Sequence, residues 1–518
     1  MGIGPLSFSA VAADSNKKPK RKTAQNSVTP LPQIRNSPQS QPQIKFRMSE
    51  EQISSAALWI DRFVGEGLKK AGLQPNPPAD DFVFLRRIYL DAAGRIPTDD
   101  ESADFLSDKD PEKRRKLIDR LLLSDGYRSH FFNWLADLLR HKQNVRRTSY
   151  NHYERWLKDQ IALNRPWDEM VFDMLSAEGS VAQSGPAGYL LRDPGMPLDN
   201  LSNTLTIFLG ANVACAQCHD HPLADWTQRE YFELAAFFGA TDVSDRDPRK
   251  VGNKLRNEQL SKQDVIQAVA PNLARVRTKS HQTLRFPDDY AYDDVKPGSR
   301  VEPLLFIWES GDEKGPAYAV DHQNPKNLRA SFAQWLTHEK NPRFAATIAN
   351  RLWQRSFGLG VQEPLEDLDD LSKSANPALL QLLGQVMVKA GFDLREFQRV
   401  LFNSRTYQAK SSVTPEIGKS EQYLFPGPVL RRMTAEQTWD SILALVIGEK
   451  LDDYKIDRSH RVTRYQFPFD QMSDSEVTKM VLSMKKSGHL TKGNGSRLNE
   501  LDYVNGKRPL KIGSQFLL

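Results

Sequence analysis

The segment CAQCHDHP spans residues 215–222 and holds both cysteines and two of the ten histidines of a 518-residue chain. Cys-x-x-Cys-His is the spacing at which two thiols add to the two vinyl groups of one haem, with the next residue, His219, placed as proximal ligand to the iron. The same residues offer a second chemistry. Cys215, Cys218 and one or both of His219 and His221 make a donor set for zinc, which takes thiolate sulfur and imidazole nitrogen. A third reading is metal-free: a local disulfide, or a reduced turn in which Asp220 and His221 only form hydrogen bonds. Two cysteines placed at random in this composition would fall three apart with a histidine next in roughly one case in ten thousand. Chance is a poor account of the cluster, but that argument does not choose among the three chemistries.

The neighbouring residues narrow the haem reading. No methionine lies between Met196 and Met387, so the downstream methionine ligand common in small cytochromes is missing. His221 is too close to His219 in sequence to reach the opposite face of the same iron. Met196, His130, His141 and His152, or an open position, remain for the sixth site. Trp226, Tyr231, Phe232, Phe237 and Phe238 recur at helical spacing and read as core packing before they read as a haem wall. The acidic run EPLEDLDD (363–370) matches no calcium loop and reads as solvated surface. There is no nucleotide-binding glycine loop, no GxSxG elbow and no HExxH, so no catalytic residue can be assigned.

The elements that must position the motif are helical. LDNLSNTLTIFLGA places Leu201, Leu205, Phe208 and Leu209 on one stripe before it, and Thr227 with Glu230 forms a capping box that opens a helix after it. The motif is a helix-to-helix connection. Upstream, Ser49–Leu73, the DDFVFLRRIYLDAAGRIP segment and the Asp110–Pro111 start predict helices, with more over 127–141, 150–163 and 166–176. Downstream, Asn341–Pro342, Asn376–Pro377 and Asp393 with Glu396 are further helix starts, and 435–447 is the last helical stretch. Between the two helical parts, 241–324 is charged and loop-rich, with strands expected at QTLRFP and VEPLLFIWES. After about 450 the chain turns polar and lysine-rich, and no packed core is expected there.

The fold class that follows is mainly α, two helical domains with an irregular, β-containing segment between them. Residues 1–13 read as a signal-peptide remnant, because Ala10, Val11 and Ala12 fit the small-residue cleavage site. Residues 14–47 read as a disordered basic linker, dispensable for folding: eight Lys or Arg lie within 17–47 with no Asp or Glu. The remaining domains are 48–240, carrying CxxCH, the insert 241–324, and 325–518. The net charge of +6 resides in that linker, and the rest of the chain is slightly negative. That argues against a nucleic-acid partner. No apolar run is long enough for a transmembrane segment, and two cysteines exclude a disulfide framework.

Four stretches in order, DDFVFLRRIYLDAAGRIPT, FLGANVACAQCHDHPLADWTQREYFELAAFF, NPRFAATIANRLWQRSFGLG and GFDLREFQRVLFNSRTYQ, resemble the planctomycete-type cytochrome C family over roughly residues 50–450. That family pairs a CxxCH-bearing domain with a C-terminal domain of unknown function. The resemblance implies an exported, extracytoplasmic protein with haem c on Cys215, Cys218 and His219, and electron transfer to a separate redox partner protein. It also implies that the second domain continues past GSQFLL, so that the chain is a fragment cut at both ends. The alternative is a non-enzymatic extracytoplasmic scaffold or carbohydrate-associated binding protein, with zinc or a disulfide as a staple at the turn.

Overall fold

The structure, a computed structural model, describes residues 46–142, 144–145, 148–181, 184–243, 248–269, 275–279, 281–308, 315–322, 324–413, 422–448, 451 and 472–486. The signal-peptide remnant, most of the basic linker and the last residues of the chain lie outside them. The fold is mainly α. The first half is built from α1 (Glu50–Lys70), α2 (Asp81–Ile88), α3 (Asp99–Ser107), α4 (Lys113–Leu122), α5 (Asp125–Leu138), α6 (Asn151–Ala162), α7 (Trp167–Ser176), α8 (Pro197–Leu209) and α9 (Gln228–Gly239). Then come α10 (Pro248–Leu255) and α11 (Lys262–Val269). The second half holds α12 (Pro325–Leu336), α13 (Pro342–Phe357), α14 (Pro377–Lys389), α15 (Leu394–Asn403), α16 (Arg405–Gln408), α17 (Ala435–Ile447) and α18 (Asp474–Lys486).

Thr227, Asn341, Asn376 and Asp393, read from the sequence as caps, act as caps, whereas Asp110 does not, since α4 starts later with Glu112 as its N-cap. Ser49 and Gln52 close a capping box on α1, and Thr227 with Glu230 and Thr434 with Gln437 do so on α9 and α17. Asn341 and Asn376 accept from the first turns of α13 and α14, each with proline at the first helical position, where a missing N–H costs nothing. Each cap fixes where an apolar stripe begins. In α1 that stripe is Ile53, Ala57, Ile60, Val64 and Leu68, all buried.

The two halves share one hydrophobic cluster, which includes Ile60, Phe84, Trp167, Phe208 and Phe237 from the first and Phe332, Trp353 and Phe397 from the second. Helix α1 packs on α14, α15 and α16, and α13 packs on α8. Polar ties cross between the halves as well. Tyr407 donates its hydroxyl to the buried Asp91 at 2.8 Å, and Arg431 pairs with the other oxygen of that carboxylate at 2.8 Å. Arg399 grips Asp119 through two nitrogens at 2.6 and 2.9 Å. Such ion pairs are costly to break one-sidedly, because the abandoned charge stays out of water.

Several expectations are corrected. QTLRFP and residues 301–308 of VEPLLFIWES form no strands, residues 309 and 310 lying outside the described residues. Arg285 and Arg300 make one isolated bridge, and the Leu304 amide donates to the Glu233 carbonyl of α9 instead of to a ladder. The strands lie elsewhere. Gly179–Ser180 (β3), Arg275–Thr278 (β5) and Thr241–Val243 (β4) form an antiparallel sheet in the order β3-β5-β4, with Val276 opposite both Gly179 and Val243. Asn144–Val145 (β1) and Thr148–Ser149 (β2) pair as a short hairpin. The insert also contains the unforeseen helices α10 and α11. Past 450, α18 does pack: Val477, Val481 and Met484 are buried in a second cluster with Leu260, Val265 and Val269. Their spacing gives one helical stripe despite a polar background.

Residues 46 and 47, read with the linker, are docked. The Arg47 amide donates to the buried Glu396 at 3.0 Å, and the Phe46 ring lies 4.2 Å beneath the Arg399 guanidinium. Deleting residues 1–45 is expected to leave the melting temperature within error. Deleting 1–48 leaves a Glu396 oxygen without its donor and should cost about 1–3 kcal/mol, read as a lower urea midpoint. Acid should weaken the fold through a second group. Burial holds the His152 imidazole down to about 4, against an ordinary value of 6.5. Between those values the unfolded chain binds the proton and the folded one does not, so stability rises with pH across that window. Acidification from pH 6.5 to 4 should remove up to about 3 kcal/mol through this residue, and His152→Gln should flatten that part of the profile.

Candidate functional site

Helix α8 ends at Gly210, whose φ of +60° is the left-handed conformation that glycine adopts freely. A Cβ built there would lie 2.3 Å from a Leu368 methyl. The chain then buries Ala211 and Val213 and enters a 3₁₀ turn over Ala214–Gln217. In that geometry side chains three apart eclipse, so Cys215 and Cys218 share one side of the turn while Ala216 faces inward and is fully buried. Both thiols are exposed and unbridged.

The two histidines are held differently. His219 donates Nδ1–H to the Asp220 carbonyl at 2.7 Å, which leaves Nε2 with its lone pair. Metal-bound histidines are oriented in this way, by a carbonyl on the opposite ring nitrogen. His221 instead accepts the Leu223 amide at Nδ1, at 3.2 Å, so its neutral ring carries the proton on Nε2. Its own amide donates to the Trp226 carbonyl at 2.7 Å. Among the described residues, no three His, Cys, Asp or Glu side chains gather into a group that could hold a metal ion. The Cys215, Cys218, His219 and His221 set of the zinc reading is not brought together.

Residues outside the motif secure the turn. Asp220 donates its amide to the Tyr292 hydroxyl at 2.8 Å and accepts the Gln228 amide at 2.8 Å, at the positive end of α9. Gln228 is buried and spans the gap, donating to the Gln217 carbonyl at 3.2 Å and accepting from the Ala291 amide at 3.1 Å. Neither Gln228 nor Tyr292 has a sequence signal, since each acts through a contact set only by the fold. Trp226 donates Nε1–H to Asp369 at 2.9 Å, and Asp369 also takes Arg343 at 2.6 Å. The acidic run thus contributes one structural carboxylate to the loop.

The aromatic residues after the motif are core: Tyr231, Phe232, Phe237 and Phe238 are buried, and only Trp226 is half-buried. Burial pushes the Tyr231 phenol up to about 12, against the opposing pull of its hydrogen bond to Ser202. The sixth-ligand candidates are scattered. His141 lies half-buried among Phe132, Tyr150 and Tyr153, and desolvation pushes its pKa down. His152 is buried. His130 packs under Gly94. Met196, part-exposed, precedes α8 by one residue, and Tyr231 bonds the Leu198 carbonyl of that first turn at 3.0 Å.

Residues 59–243 match the PSCyt2 family, described as "Protein of unknown function (DUF1549)", and residues 328–492 match PSD1, "Protein of unknown function (DUF1553)". The chain has the two-domain architecture of the planctomycete cytochrome C-like proteins. The PSCyt2 segment supplies the CAQCHDH turn and both flanking helices. The PSD1 segment supplies Leu368, Asp369 and Arg343, which hold the turn from outside. No curated protein and no solved structure matches the chain. Among the described residues no helix is long and apolar enough to cross a membrane.

Gly210→Ala should destabilise the fold by about 1–2 kcal/mol from the left-handed backbone alone, and by more from the overlap with Leu368. Gln228→Ala removes two hydrogen bonds from the turn, a loss of about 1–3 kcal/mol. Amide exchange should accelerate at 215–222 before the helices are affected, and uniform acceleration would contradict a local role.

Proposed function

We propose that this is an exported cytochrome C-like protein that carries one haem covalently on Cys215 and Cys218, with His219 as proximal ligand, and passes electrons to a separate redox partner. The observation that carries the reading is the geometry of the turn: two free thiols on one side of a 3₁₀ turn, and a histidine whose Nδ1 is tied to a backbone carbonyl. Each thiol adds S–H across one vinyl group and nothing leaves, so two attachment points three residues apart are what the porphyrin edge requires. The haem, once bound, supplies a one-electron couple. The rest belongs to the protein: α8, Gly210 and Ala216 hold the turn fixed, Asp220 and Gln228 hold its far side, and the Asp220 carbonyl orients the His219 ring. The PSCyt2 name and the small residues Ala10, Val11 and Ala12, which fit an export-signal cleavage site, also support the reading.

The test uses a host with a haem-attachment system and a chain given a working export signal. Haem absorbance should persist on a denaturing gel, since thioethers survive denaturation and zinc thiolate ligation does not. Cys215→Ala or Cys218→Ala should reduce or abolish that signal. His219→Ala should keep covalent haem but perturb its ligation spectrum. Colourless protein with one zinc per chain would replace haem by a metal staple, and colourless, metal-free protein with bridged sulfurs would leave a covalent turn.

A further inference from the structure

The loop that carries the cysteines has a second face. Residues 223–226 form one wall of a cleft of about 700 Å³, and Phe306, Trp308, Trp335, Arg343, Asp369 and Lys373 form much of the remainder. A cleft of that size falls within the ~300–1,000 Å³ typical of ligand sites. It is bounded by the PSCyt2 segment, the insert and the PSD1 segment together.

Its surfaces differ in kind. One side is aromatic: Phe306 meets Trp226 edge to face at 5.4 Å, and Trp308 stacks on Trp335 at 5.9 Å. At the lining, Leu223 is 86% exposed and Ile307 47% exposed, unusual for large apolar side chains. The other side is polar: Arg343, Asp369, Asp370 and Glu230 have hydrogen-bond partners, while Asp225 and Lys373 stand in solvent. Arg343 spends Nη1 on the Asp369 carboxylate and Nη2 on the Asp369 carbonyl. Asp370 accepts from the Ser372 amide and hydroxyl. Glu230 accepts from the amide and hydroxyl of its own cap residue, Thr227. Lys373 lies 3.9 Å from Asp370, and Asp225 is exposed to solvent.

We infer that this cleft is a binding site for a neutral saccharide. An anionic ligand needs an unpaired cation shielded from water, but Arg343 is paired with Asp369 and Lys373 is 68% exposed beside Asp370. A cationic ligand needs an unpaired carboxylate shielded from water, but Asp369, Asp370 and Glu230 already have donors and Asp225 lies exposed, where solvent and salt screen it. Paired side chains still present hydrogen-bond donors and acceptors in fixed positions. A pyranose matches both surfaces, since its C–H face covers the apolar wall of Leu223, Ile307 and Phe306 while its hydroxyls both donate and accept. The assignment is independent of what the two thiols carry.

The experiment titrates the full chain with maltohexaose, cellohexaose, laminarihexaose and xylohexaose, following tryptophan fluorescence and calorimetry. At least one should saturate with Kd at or below about 1 mM. Trp226→Ala should abolish the response. Because Trp226 also packs on Phe306, Ile307→Asp at an exposed position is the second variant, and it should weaken binding at least about tenfold. Leu445→Ser, on the exposed side of α17, should leave affinity unchanged. The assignment is overturned if none of the four sugars saturates, or if binding survives both cleft variants. It is equally overturned if only a sulfated hexasaccharide or a tetraalkylammonium ion binds.

Discussion

The close approach of two backbones at Gly210 is the constraint on which the site depends. The Leu368 amide donates to the Gly210 carbonyl at 2.7 Å, and a Leu368 methyl occupies the space a side chain would need. The turn with both cysteines begins four residues later, so its placement is set by a contact between the two halves of the chain. Arg351 adds a hydrogen bond from α13 to the Thr206 carbonyl in the last turn of α8 at 3.0 Å. Neither matched segment positions the turn alone.

Around that anchor the protein separates rigidity from reactivity. Val213 and Ala216 are fully buried and the residues between and after them are exposed, so the backbone is fixed where the side chains are free. His219 and His221, two residues apart, have their Nδ1 atoms used oppositely, one as donor and one as acceptor. The first keeps its Nε2 outside that bond, and the second braces the loop.

Much of the helical architecture is legible in the sequence, because it rests on local signals. Asn341–Pro342, Thr227 with Glu230, and the helical stretch from Ala435 set helix starts that the structure reproduces within a residue. The 301–307 segment was misread for a physical reason. Val301, Pro303 and Leu305 are buried and Glu302, Leu304 and Ile307 exposed, so the alternation of a strand is real. Pro303 supplies no donor, however, and the segment runs over α9 with no ladder to join. Helices α10 and α11 do carry apolar residues at helical spacing, but each is only eight residues long, too short to stand out in a stretch rich in charge, Pro and Gly. At the site, the Cys-x-x-Cys-His spacing is read directly, whereas Gln228, Tyr292 and Leu368 reach it only through tertiary contacts. No pattern of spacing could have named them.

The small cluster of α10, α11 and α18 has an energetic consequence. Its apolar residues face one another rather than the main core, and its outer ties are surface ion pairs such as Lys485 with Asp264 and Lys254 with Asp474, which contribute little. This subassembly is therefore a cooperative unit of its own, with an opening free energy below that of the whole molecule. It joins residues more than two hundred positions apart without touching the cysteine turn. Opening of this unit would break none of the hydrogen bonds with Tyr292, Gln228 and Trp226 that hold residues 217–221.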